Sequence, residues 1–112
     1  MKVHALGDCE PFTTADGSTI RELHHTDAQS LAEASLPAGG RTQRHYHRLS
    51  EEIYHVTHGE GRLEIDGEER VVRPGDAAVI PPGAWHQIEA ATDLRFLCMC
   101  VPPYSHEDTY FD

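Results

Sequence analysis

The sequence predicts an all-β domain whose short strands close into a barrel or a two-layer sandwich. Three observations predict it. Short runs of alternating or continuous apolar character recur along the chain, each bounded by Gly, Pro or Asp clusters. Helical signals are weak, and no strand–helix alternation appears that would build a parallel doubly wound sheet. Asp66-Gly67, a strong tight-hairpin dipeptide, sits between two of the runs.

The elements follow in order. Thr19 to Leu23 alternates. Thr26 to Glu33 carries a passable helix cap and good helix formers, but Ser30 to Leu36 also alternates, with Ser30, Ala32, Ala34 and Leu36 on one face, and a strand suits its short-strand neighbours better. Thr42 to His47 is a strand with His45 and His47 in one phase. Glu52 to Thr57 sets Glu52, Tyr54 and Val56 against Ile53, His55 and Thr57. Gly61 to Asp66 and Glu69 to Arg73 flank the hairpin. Pro74-Gly75-Asp76 turns into the apolar run Ala77 to Ile80, and Pro81-Pro82-Gly83 turns again before Trp85 to Glu89. Leu94 to Val101 is the last strand, stopped by Pro102-Pro103 because proline donates nothing to a ladder. The expected division is an N-terminal segment 1–17, a barrel 18–103 and a C-terminal tail 104–112 that either folds over a barrel mouth or is solvated.

With 112 residues the chain is large enough to bury a core without staples. A formal net charge of −10 argues against nucleic acid or an anionic membrane as partner, since phosphate contacts need clustered Lys and Arg. No apolar run approaches a membrane span or a signal peptide, which makes the cytoplasm the expected location. Three cysteines, Cys9, Cys98 and Cys100, do not make a disulfide framework. Cys98 and Cys100 share a strand face with Phe96; buried small hydrophobes are the commoner fate of such thiols, and a redox or ligand role is the alternative.

The chemistry is concentrated between Gly39 and His86. Side chains two apart on a strand point the same way, so His45 and His47 aim at one point, and Glu52 can reach it from the next strand. His86 is a fourth candidate. Three imidazoles and a carboxylate suit a divalent transition metal (Fe, Mn, Ni, Zn, Co or Cu), one per chain; Ca and Mg favour all-oxygen sites. Tyr54 shares the phase of Glu52 and is a candidate acid, with a packed core aromatic as the alternative. Gln43 shares the phase of His45 on a regular strand and is expected to line the pocket. Trp85, Arg44 and Arg48 point outward by the same reasoning.

These segments resemble the paired motifs of the cupin superfamily. The first family pattern is glycine, five residues, His-x-His, three or four residues, glutamate, six residues, glycine; Gly39, His45, His47, Glu52 and Gly59 satisfy it. The second is glycine, five residues, Pro-x-Gly, two residues, histidine, three residues, asparagine; Gly75, Pro81, Gly83 and His86 match, and Ala90 stands where the family has asparagine. The spacing chooses Glu52 over Glu51 as the carboxylate ligand. The resemblance implies a double-stranded β-helix (jelly-roll) barrel, a metal held by His45, His47, Glu52 and His86, and a homodimer. It also implies a small-molecule substrate or ligand. Either a metalloenzyme, with dioxygenase-like chemistry placed ahead of decarboxylation, isomerisation or lyase reactions, or a metal-dependent binding module fits. The wording around Glu51 to Val56 is most similar to mannose-6-phosphate-isomerase-like members, although a phosphate site would need basic pocket residues.

Overall fold

The computed structural model describes all 112 residues. Eleven strands form two antiparallel sheets: β1 (Phe12–Thr13), β2 (Thr19–His25), β3 (Ser30–Leu36), β4 (His45–His47), β5 (Glu51–His58), β6 (Gly61–Ile65), β7 (Glu68–Val72), β8 (Ala77–Ile80), β9 (His86–Ala90), β10 (Leu94–Val101) and β11 (Thr109–Phe111). One sheet runs β1-β2-β3-β10-β5-β8 and the other β11-β4-β9-β6-β7. Helical content is limited to two single 3-10 turns, Leu6–Asp8 and His106–Asp108. The two sheets make the jelly-roll that the resemblance implies and the strand rhythm permits.

The alternating phase decides which side chains go inside. On β5, Glu52, Tyr54 and Val56 are buried while Glu51 is exposed. Leu63 on β6 and Ile88 and Ala90 on β9 face them from the other sheet, and Leu94 and Phe96 join them from β10, the neighbour of β5. Phe96, Leu94, Ile88 and Ile80 are each 1% exposed, and burying side chains of that size stabilises the fold by roughly 1.5–3 kcal/mol apiece. This apolar packing fills one part of the space between the sheets. The polar cluster fills another.

The turns behave as their residues require. Asp66 and Gly67 both have positive φ (48° and 89°), which gives the tight hairpin joining β6 to β7. Gly59 has φ 80°, and a Cβ there would collide with the backbone carbonyl of Asp93. Only glycine meets both conditions.

Two features depart from the expected elements. The strand expected over Thr42 to His47 is regular only from His45, because Thr42 bonds out of register: its N–H donates to the Ile88 carbonyl and its hydroxyl accepts from the Ile88 N–H. Pairing also reaches into both chain ends. β1 forms a hairpin with β2, and β11 pairs with β4 at Thr109↔His47, Tyr110↔Tyr46 and Phe111↔His45. The tail is therefore a sheet strand. The segment from Ser30 is strand, as its alternation predicts, with no helix before it.

Candidate metal centre

The second sheet supplies three histidines and the first a carboxylate. Register sets their meeting. His45 on β4 lies opposite His86 on β9, and His47 follows two residues later on the same face. Across the barrel, Glu52 on β5 lies opposite Cys100 on β10. His45, His47, His86 and Glu52 are all at most 4% exposed. One ring nitrogen from each histidine falls within 4.8 Å of the others. Glu52 Oε1 sits 3.3 Å from His47 Nε2 and 3.4 Å from His86 Nε2.

The outward nitrogens are held. His45 Nδ1 lies 2.7 Å from the Gln43 carbonyl and His86 Nδ1 lies 2.9 Å from the Ala84 carbonyl. A carbonyl only accepts, so in both neutral rings the proton is on Nδ1 and the Nε2 lone pair turns inward. Two of the inward atoms, Glu52 Oε1 and His86 Nε2, are buried without a hydrogen-bond partner. Lone pairs facing a carboxylate in a dry site repel one another unless a cation lies between them. The donor set, nitrogen plus carboxylate oxygen with ordered outer partners, is that of a divalent transition-metal site.

The electrostatics agree. Burial alone would raise the Glu52 carboxyl, but His47 and His86, which donate through Nε2 and carry charge when those rings are protonated, hold it well below the usual carboxylate range. Burial, then the neighbouring His86, push His45 down to about 4, against the Gln43 carbonyl. Burial also works to lower His47, yet Glu52 and the nearby Asp108 outweigh it and raise the ring. Burial, then the Glu52 charge, push the Tyr54 phenol and the Cys98 thiol far upward, so both stay neutral. Cys100 is raised for the same reasons, and its thiol donates to Glu52 Oε2 at 3.3 Å.

A pocket opens beside the cluster. Its wall includes His45, His47, Glu52 and Tyr54, the thiols of Cys98 and Cys100, apolar Phe12, Ile20, Ala34 and Phe96, and polar Thr14, Asp16, Ser18 and Tyr104. No Lys or Arg lines it. Tyr54 joins the site to the core, with ring centroids 5.9 Å from His86 and 4.6 Å from Phe96.

Gln43 corrects the expectation placed on it. Its side chain is exposed and outside this pocket, because the break in regular pairing at Thr42 puts Thr42 and His45, three residues apart, on the inner face. What Gln43 brings is its main-chain carbonyl on His45. Arg44, Arg48 and Trp85 point outward: Arg44 binds Glu64 through Nε (2.6 Å) and Asp112 through Nη1 (3.1 Å), and its guanidinium lies 5.2 Å from the Trp85 ring centre. Asp16, Ser18 and Tyr104 at the pocket, and Thr109 behind His47, were not singled out in the sequence. Asp16-Gly17 carries the same hairpin dipeptide as Asp66-Gly67 and marks the β1–β2 turn.

A two-sheet antiparallel barrel with histidines from one wall and a carboxylate from the other defines a class of small pocketed jelly-roll proteins. Residues 32–102 match the cupin domain. The chain belongs to the cupin domain family. An uncharacterized protein of Methanocaldococcus jannaschii is 47% identical over 107 residues, spanning 89% of this chain and 86% of that one. An L-ectoine synthase of Shouchella clausii is 31% identical over 83 residues, 72% of this chain and 61% of the synthase. Among solved structures, Pac13 from Streptomyces, a nucleoside dehydratase, superposes with a TM-score of 0.85 at 15% identity, covering 100% of this chain and 91% of that one. That likeness is one of fold.

Proposed function

We propose that this protein is a metal-dependent enzyme acting on a small oxygenated organic molecule. His45, His47, His86 and Glu52 hold one divalent transition metal, drawn from Fe, Mn, Co, Ni, Cu and Zn. The observation that carries the reading is the pair of buried, unpartnered atoms, Glu52 Oε1 and His86 Nε2, which face each other with no donor between them. Such a metal supplies Lewis-acid polarisation of a substrate oxygen, and with iron also redox chemistry.

The chain's own residues narrow the substrate. A wall without Lys or Arg, carrying Asp16 and Glu52, disfavours phosphate esters and other polyanions and accepts neutral or cationic molecules. Sugar-phosphate isomerisation is accordingly set aside. Apolar Phe12, Ile20 and Phe96 exclude water from one side, and Thr14, Ser18 and Tyr104 offer hydroxyls to orient polar groups. Tyr54, a phenol kept protonated by burial, is suited to donate a hydrogen bond to a departing or developing substrate oxygen. Hydrogen-bond donation of this kind suits dehydration and related lyase chemistry, in which a substrate oxygen gains charge as it departs. Oxygenation is the second reading, which requires iron.

The test is metal analysis of protein purified without chelators, followed by turnover of hydroxy- and amino-carbonyl compounds with dissolved oxygen monitored. About one transition metal per chain, and product formation that Tyr54→Phe suppresses without loss of metal, support the proposal. Purified protein that takes up none of the six metals overturns it. Oxygen consumed in proportion to substrate favours the second reading, and tight ligand binding without turnover favours a binding module. A homodimer is proposed on the apolar row Met99–Ile53–Val79, which the register of β10, β5 and β8 lays across the outer face. Met99 and Val79 are 43% and 56% exposed there, and sedimentation velocity checks the assembly. No helix is long and apolar enough to cross a membrane.

A further inference from the structure

Each imidazole of the cluster is aimed by what its Nδ1 meets. His45 and His86 use one device, the carbonyl of the residue two positions earlier. His47 lies inside the regular part of β4 and forms no such bond. Its Nδ1 meets the Thr109 hydroxyl at 3.3 Å. That hydroxyl lies 2.8 Å from the Ser105 carbonyl, which takes its single proton. The Thr109 oxygen is then left as an acceptor, so the proton on the His47 ring belongs on Nδ1 and the Nε2 lone pair faces Glu52.

We propose that Thr109 is a positioning residue for the metal centre, and that the β11 strand is the strap that aims His47. The proposal rests on the metal reading above. The strap is anchored at both ends of β4. Asp108, 8% exposed, accepts the backbone N–H groups of Arg48 and Leu49 through its carboxylate, which fixes the turn directly after His47. At the other end, the Asp112 N–H donates to the Arg44 carbonyl, and the Arg44 side chain reaches the Asp112 carboxylate. Between the anchors, Thr109 is paired in register with His47. The strap's own residues, Asp108, Thr109 and Asp112, lie outside the 32–102 cupin domain match. The third imidazole is therefore held by a part of the chain that this match does not include.

The experiment compares Thr109→Val, which keeps the shape and removes the acceptor, with Thr109→Ser, which restores it. Two measurements are made. In metal-free protein at alkaline pH, long-range proton–nitrogen NMR reads the His47 tautomer. Competition against a chromophoric chelator reads Co²⁺ affinity, and the Co²⁺ absorption spectrum reads the ligand field. We expect wild type and Thr109→Ser to hold His47 with the proton on Nδ1. Thr109→Val should populate both tautomers, bind Co²⁺ about 10–100-fold more weakly and alter the spectrum. The proposal is overturned if wild-type His47 carries its proton on Nε2, if Thr109→Val matches wild type in tautomer and affinity, or if Thr109→Ser is as impaired as Thr109→Val. Should Thr109→Val fail to fold, the wild-type tautomer decides alone. A wild-type protein that ignores Co²⁺ while keeping the Nδ1 proton overturns the metal reading and leaves the role of Thr109 in aiming His47 supported.

Discussion

Glu52 Oε1 and His86 Nε2 face each other across 3.4 Å inside the barrel, one from each sheet, and both are buried without a hydrogen-bond partner. Removing either side separates metal binding from folding. His86→Ala is expected to lower divalent-metal affinity by more than the roughly 10–100-fold that loss of an outer-shell partner costs. Glu52→Gln should weaken it far more than Glu51→Gln, because Glu51 is exposed. Isothermal titration with Mn²⁺ or Co²⁺ checks both, and equal effects at positions 51 and 52 would contradict the inward placement of Glu52.

Cys100 holds the far oxygen of that carboxylate, since its thiol donates to Oε2 at 3.3 Å while Oε1 faces the histidines. Cys100→Ala leaves Oε2 without its donor. We expect an affinity loss of at most about tenfold, with Cys100→Ser close to wild type, since a hydroxyl donates in the same place. Alkylation kinetics give a second check: thiols pushed upward by burial and a neighbouring carboxylate should react with iodoacetamide at Cys98 and Cys100 more slowly than at Cys9.

Stability of the metal-free protein should depend on pH through two histidines of opposite sign. His45 is held near 4 when folded and near 6.5 when unfolded, so the unfolded chain binds more protons between those values and stability falls as pH drops through the window. The loss attributable to His45 is about 3 kcal/mol at most. His47 is raised, so its contribution is present below the unfolded value and fades as pH rises through the folded one. Urea denaturation of chelator-treated protein from neutral to mildly acid pH should show a shallower slope in His45→Asn and a steeper one in His47→Asn. Metal binding requires the neutral rings, so acidification through the histidine range should also release metal.

Two turn glycines with similar backbones should respond differently to alanine. Gly59 and Gly75 have φ of 80° and 95°, but a Cβ at Gly59 meets the Asp93 backbone while one at Gly75 meets nothing within 4 Å. The unfavourable conformation costs about 1–3 kcal/mol at either site. Gly59→Ala adds a collision that only backbone movement relieves, so its melting temperature should fall clearly further than that of Gly75→Ala.

Much of this site is legible in local pattern. Period-two alternation places Glu52 and Tyr54 inward and Glu51 outward, and the His-x-His spacing puts His45 and His47 on one face. Asp66-Gly67 marks its hairpin. What local pattern does not carry is who pairs with whom. Cys100 meets Glu52 from 48 residues away, and Thr109 meets His47 from 62. Such contacts exist only once β10 lies beside β5 and β11 beside β4. Gln43 escaped for a different reason: Thr42 gives its backbone and its hydroxyl to Ile88, and the alternation skips a residue there.

Strand β5 writes a ligand and the core in a single line, with Glu52, Tyr54 and Val56 on one face. A deletion or insertion in the turn ahead of it would rotate that whole line outward, sending the acid to solvent and hollowing the interior together. For such a shift of register, loss of chemistry and loss of folding are the same genetic event. Sequence drift is therefore expected to enter through its outward-facing residues His55 and Thr57 long before it touches the inner three.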